Sequence, residues 1–286
     1  MFNRLFQTTS RNRMTAIIVR QVFNLSLLSF LLLTHSRQAV SAQPAFRLTF
    51  DESLRAAPYS GRVYVYFSSN AEPRSGPKWF GTEPFLSLDV EEWAPGTVLE
   101  LAPETDGVLT YPRDFEDVDL AGLQAQAVAR FNPHERQVGV GPGNGYSEVV
   151  RIGSADEIVE LEINRQVAAP TFRESKWAKL LTVHSRLLSD FHQRDVTLTA
   201  AVILPASYYD QPERRYPTMF TIPGFGGTHF IGQWDSPVNE SNPGGVEFLR
   251  VMLDPSCPLG HHVFADSANN GPVGQALIEE LIPAFE

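Results

Sequence analysis

The chain has 286 residues, of which 43% are hydrophobic, 11% aromatic and 20% charged, the balance of a folded protein with room for one large domain or two of ordinary size. A net charge of -10 argues against nucleic-acid binding, which needs a basic face against the phosphate backbone. The single cysteine, Cys257, excludes an internal disulfide and a cysteine-based zinc cluster, and no cofactor or metal motif is present.

Arg4, Arg11, Arg13 and Arg20 precede the apolar run Val22 to Leu33, and the small residues Ala39-Val40-Ser41-Ala42 follow. Basic, then apolar, then small is the order of a secretory signal peptide. The run has 12 residues, fewer than the ~18–20 that span a bilayer. The expectation for residues 1–42 is a signal peptide cleaved near Ala42, an exported (periplasmic or extracellular) mature protein, and membrane contact only through export. An uncleaved anchor is the alternative. Residues 1–42 hold five arginines and no acid, so the remainder is more acidic still.

Residues 43–167 read as a β-sandwich-like module. Phe46–Phe50 and Thr97–Leu101 alternate apolar and polar residues, the period of a half-buried strand. Arg62–Phe67 is rich in β-branched and aromatic residues, and Gln124–Phe131, Glu148–Ile152 and Ile158–Ile163 complete the set. Pro, Gly, Asn and Asp clusters separate them, as in sandwiches. Gly139-Val140-Gly141-Pro142-Gly143-Asn144-Gly145 lacks the Lys-Ser/Thr of a phosphate-binding loop and reads as a hairpin or loop. Trp79, Phe80, Phe85 and Trp93 sit in loop-like context, suited to core packing or, alternatively, to stacking on sugar rings.

Residues 168–194 read as a connector, and 195–286 as the opening of an α/β domain. Val196–Leu204 is a strand. Thr218–Ile222 is a short strand expected to be buried on both faces, as in parallel sheets. The loop Pro223-Gly224-Phe225-Gly226-Gly227 leaves its end. His262–Asp266 reads as the next strand. Pro272 then starts a helix over Val273–Glu286, with Val273, Ala276, Leu277, Leu281 and Ile282 on one stripe.

Leu204-Pro205, Tyr209-Asp210, Arg215-Tyr216-Pro217, the glycine loop and Glu280-Leu281-Ile282-Pro283 together resemble the esterase D or enterochelin-esterase-like branch of the α/β-hydrolases, over roughly 184–286. Secreted members of that branch often carry an N-terminal β-sandwich. The resemblance implies a secreted serine esterase acting on a small-molecule ester. It also implies that Gly224, Phe225, Gly226 and Gly227 form the oxyanion-hole loop, whose backbone N–H groups hold the negative oxygen of a tetrahedral intermediate. His229, Trp234 and Asp235, and beyond the next strand Asp266 and Asn270, become candidates for lining the substrate pocket. An ordinary tight turn, and a turn-capping role for Asp266 and Asn270, are the alternatives.

A G-x-S-x-G elbow, then an acid, then a histidine is the order that such an enzyme needs. Gly145-Tyr146-Ser147-Glu148-Val149 fails at the last glycine, Ser267 has no flanking glycines, and Ser236 precedes Pro237. No catalytic residue is therefore assigned. The expectation is an incomplete α/β-hydrolase-type domain, inactive alone, whose nucleophile, acid and histidine lie beyond Glu286. The alternatives are a non-catalytic exported protein whose β-module binds a carbohydrate or a protein, and a pseudo-hydrolase.

Overall fold

The computed structural model describes residues 43–77, 81–102, 104–154, 157–237 and 244–286. The expected signal peptide, Trp79 and Phe80 lie outside the described residues. The fold is mostly β, with few and short helices.

The first sheet contains β1 (Ala45–Phe50), β2 (Tyr59–Ser68), β3 (Phe85–Trp93), β4 (Leu99–Leu101), β5 (Leu109–Tyr111), β6 (Gln124–Ala129), β7 (Gly145–Ser147), β8 (Val150–Arg151) and β9 (Ile158–Gln166). Its order is β4-β1-β9-β7-β6-β2-β3-β5, with β8 also pairing β6. Only β1 and β9 run parallel. Hydrogen bonding is thus continuous through one sheet, where the sequence suggests two stacked ones. The sheet curls over itself, because Phe46 of β1 meets Phe67 of β2, four strands along in the order, at 5.1 Å between rings.

Period-2 alternation decides which side faces in. Phe46, Leu48 and Phe50 of β1, Val63, Val65 and Phe67 of β2, and Val159, Leu161 and Ile163 of β9 are all buried in one core. Each such side chain contributes about 1.5–3 kcal/mol relative to an exposed one. Phe85 and Trp93, expected in loops, are the two ends of β3, and Trp93 packs edge-on against Phe50 at 4.7 Å.

The second sheet contains β10 (Ala178–His184), β11 (Thr197–Ile203), β12 (Thr218–Thr221) and β13 (Leu249–Leu253). Its order is β10-β11-β13-β12. β11 is antiparallel to both neighbours, while β12 and β13 are parallel. β10 lies within the segment read as a connector, and so does the helix α1 (Arg186–His192) that follows it. β12 is an edge strand with Thr218 and Met219 exposed, so the expected burial on both faces is corrected. The chain end is helical: α2 (Val273–Ala276), a π turn (Leu277–Leu281) and α3 (Ile282–Phe285).

A further correction concerns His262–Asp266, which is a turn and not a strand. Val263 and Phe264 both take left-handed backbone, with φ of 46° and 53°. Ring nitrogens supply the reason. His261 Nδ1 accepts from the Val263 N–H at 3.2 Å and His262 Nδ1 accepts from the Phe264 N–H at 3.0 Å, so side chains satisfy amides that a sheet ladder would otherwise need. Two short strands, β14 (Ser256–Cys257) and β15 (Gly260–His261), turn the chain just before it.

The helices pack on one face of the second sheet, where Leu188, Leu198, Val251, Phe264, Val273 and Leu281 share a core. Glu280 ties them together. Its Oε1 accepts from the Leu187 N–H at 3.0 Å, and Ser185 Oγ donates to its Oε2 at 2.5 Å while accepting from the Leu188 N–H at 3.1 Å. One carboxylate from the last helix thus completes the N-terminal cap of α1. Glu280→Ala should cost about 1–3 kcal/mol in urea unfolding, since it strands the Leu187 N–H and the fully buried Ser185 hydroxyl. Glu279→Ala, on the exposed side of the same turn, should change stability by less than about 0.5 kcal/mol.

Candidate functional site

Because β12 and β13 are parallel, their C-terminal ends leave the sheet at one edge. Ligands of α/β sheets bind at such an edge. The glycine loop follows β12. Gly227 N–H donates to Gly224 O at 2.8 Å, and Gly226 between them has φ of 86°. That is the geometry of a turn whose third residue must be left-handed, which glycine adopts without a Cβ clash. Gly224, Phe225 and Gly226 are exposed, and among the described residues the Gly226 N–H has no hydrogen-bond partner. His261 anchors the base of the loop, where its Nε2–H donates to Pro223 O at 2.7 Å. Its ring stacks on Phe225 at 6.4 Å.

Asp254 follows β13. Its Oδ2 accepts from His229 Nδ1–H at 2.6 Å, and its Oδ1 accepts from the Ser256 hydroxyl and from the Ser256 N–H at 3.0 Å. Burial pushes this carboxyl up, but the hydrogen bonds from His229 and Ser256 outweigh it and hold the group below the usual carboxylate range. His229 is almost wholly buried, with Phe172 stacked on it at 5.8 Å. The carboxylate fixes the imidazole with its proton on Nδ1, the orientation of a base-forming pair. Ser256, however, binds the carboxylate and not the ring, so nothing activates this serine as a nucleophile.

A loop from the first sheet reaches the same edge. Arg136 lies over the Phe225 ring at 5.2 Å from its centroid. Glu135 beside it is pushed above the usual carboxylate range by burial and by the charge of Asp254, against a smaller opposing pull from Arg136.

The other expected pocket residues are spread out. Trp234 is 74% exposed, at the end of the 3-10 helix His229–Trp234. Asp235 pairs with Arg250 at 2.9 Å. Asp266 Oδ1 accepts from the Gly274 and Gln275 N–H groups at 2.7 and 3.2 Å, which caps the last helix. Asn270 is half-buried, and its backbone oxygen accepts from His192 Nε2–H at 3.3 Å. The edge therefore brings together the glycine loop and His229, and adds Asp254, Ser256, His261, Glu135 and Arg136, which the sequence did not single out. An acid directly after the apolar Val251-Met252-Leu253 was the only local signal for Asp254. Glu135 and Arg136 lie some ninety residues away and gave none.

Among the described residues no three His, Cys, Asp or Glu side chains gather as metal ligands, and no helix is long and apolar enough to cross a membrane. In comparison with known proteins, no family model and no curated protein matches the chain.

Two measurements check this geometry. Gly226→Ala forces a Cβ into left-handed backbone and should cost about 1–2 kcal/mol in urea unfolding. Gly224→Ala, whose Cβ would meet nothing within 4 Å, should be close to neutral. The second measurement concerns His262, whose imidazole is pushed down to about 4 by burial and by neighbouring His261, against a weaker upward pull from Asp254. Unfolded, it takes up its proton near pH 6.5. Its contribution is intact above that pH and is lost as pH falls from 6.5 to 4, to the extent of about 3 kcal/mol. The stability gap between the wild type and His262→Gln should therefore narrow by that amount between pH 7 and pH 4.

Proposed function

We propose that this chain carries the oxyanion-binding part of a serine carboxylesterase of the α/β-hydrolase class, exported from the cytoplasm and acting on small-molecule esters. One observation carries the reading: the glycine turn leaves the third strand of the second sheet, and among the described residues the Gly226 N–H at its apex has no hydrogen-bond partner. In this class an N–H from the loop after the third strand is one of the two oxyanion donors, the other coming from the residue after the nucleophile. The sheet order adds support. β12 follows β11 in the chain yet sits beyond β13 in the sheet, a switch of order of the kind that opens a crevice at strand ends.

The chemistry follows from the turn. A nucleophile adds to the ester carbonyl, and the oxygen gains charge as the tetrahedral intermediate forms. An N–H on an exposed glycine held in a fixed turn meets that charge without reorganising, and such a donor is worth about 10²–10³ in kcat. Ser147 is not the nucleophile, since it is buried, donates to Glu148 O at 2.7 Å and accepts from the Ala127 N–H at 2.9 Å. The resemblance puts the serine after the E-L-I-P helix, followed by the acid and the histidine.

The reading of the β-module as a sugar-binding domain has less support. On its outer face Tyr64 and Tyr66 stack on each other at 5.7 Å, and Phe85 and Tyr111 at 5.4 Å. Those ring faces are spent on one another, whereas a sugar needs an open face.

Reading the gene past codon 286 and expressing the product tests the proposal. A G-x-S-x-G serine within about 30 codons of the E-L-I-P helix is expected, together with p-nitrophenyl acetate hydrolysis that a serine-directed phosphonate abolishes. Gly226→Ala in that protein keeps the N–H but shifts the turn that positions it, and should lower kcat with KM little changed, by at most the roughly 10²-fold of a lost donor. Residues 43–286 alone should give no turnover; phosphonate-sensitive turnover by them would sink the assignment of the nucleophile.

A further inference from the structure

The run Gly139 to Gly145, which matched no phosphate-binding loop, has a structural purpose that leads to the glycine turn. Residues 132–144 form a closely built arm. Asn144, fully buried, accepts from the Asn132 N–H at 2.8 Å and donates to Val138 O at 2.8 Å. Asn132 Nδ2 donates to Pro142 O at 2.9 Å, and the Arg130 guanidinium donates to Pro133 O and Glu135 O at 3.2 and 3.0 Å. The glycines are needed for close approach: a Cβ on Gly139 would lie 1.6 Å from Arg74 O, and one on Gly141 2.2 Å from Gln137 O. Backbone packed this tightly holds its tip in one place.

That tip is Arg136. Its guanidinium covers the Phe225 ring at 5.2 Å, and its terminal nitrogen lies 3.8 Å from where a Cβ of Gly226 would stand. Among the described residues it forms no ion pair. The nearest acids are otherwise engaged or weakened: Asp254 is held by His229 and Ser256, and Glu135 is half-buried beside it. A guanidinium lying over an aromatic face still has its N–H donors to give, and their planar fork matches a carboxylate.

We propose that Arg136, presented by the β-rich module, is a specificity-determining residue that selects esters bearing a carboxylate a few bonds from the scissile carbonyl. This inference rests on the oxyanion reading of the Gly224–Gly227 turn. In this arrangement the first sheet contributes charge recognition and the second contributes the oxyanion donor.

Binding by residues 43–286, followed by NMR titration, tests it with three probes of one skeleton: monomethyl succinate, dimethyl succinate and succinate. The monoester should bind about tenfold more tightly than the neutral diester, a step of the size expected for one charge-assisted pair. Arg136→Gln should remove that difference by weakening the monoester alone, and Arg136→Lys, which keeps the charge but not the fork, should keep only part of it. Equal binding of monoester and diester by the wild type overturns the proposal, as does an unchanged preference in Arg136→Gln. If succinate binds as tightly as the monoester and loses affinity in Arg136→Gln, the carboxylate site stands and the oxyanion reading of the turn falls.

Discussion

The parallel pairing of β12 with β13 is the constraint on which the site depends. Antiparallel strands would send their C-terminal ends to opposite edges. Parallel ones deliver the glycine turn after Thr221 and the Asp254 carboxylate after Leu253 to the same edge. The antiparallel β11 adds its beginning there, since Asp254 N–H donates to Thr199 O at 3.2 Å. The helices that cover one face of this sheet are bound to each other through Glu280, whose carboxylate satisfies the start of α1 from 93 residues away. The Glu280-Leu281-Ile282-Pro283 segment is thus a structural brace for the helices on the sheet where the glycine turn is built.

The edge is polar, and its polarity is largely consumed internally. His229 and Ser256 are spent on Asp254, and His261 on Pro223. His262 is kept neutral by burial. These bonds fix loops more than they prepare a reaction: the Thr199 hydroxyl lies 3.4 Å from His229 Nδ1, but that nitrogen carries the proton it donates to Asp254. Among the described residues the Gly226 amide has no hydrogen-bond partner and the Arg136 guanidinium no ion pair, one a neutral donor and the other a cation, supplied by different sheets to the same edge.

Strands were legible where one face is buried. The alternation of Phe46-Arg47-Leu48-Thr49-Phe50 and of Ile158 to Ile163 maps directly onto β1 and β9. β3 escaped notice because its outer face carries Ser87 and Asp89, and the aromatics at its ends resembled loop anchors. β13 escaped because Arg250 interrupts a short apolar run, its charge tolerated through the pair with Asp235. His262 to Asp266 has strand-like composition, yet two histidine rings capture its amides and the chain turns. Composition records preference, and a side chain that reaches its own backbone can override it.

From the sequence alone followed a β-rich first part, a glycine turn after a short apolar strand, an amphipathic last helix and the absence of a G-x-S-x-G serine. All of these depend on neighbours within a few residues, where periodicity and glycine chemistry act. Only the tertiary structure decided that Asp254 captures His229, that Glu280 caps α1, and that Arg136 stands over Phe225. Each of those contacts joins residues 25 to 93 positions apart. Their partners are chosen by sheet order and loop packing, which no local pattern encodes. The glycine turn could be read as a turn from its residues; what surrounds it could not.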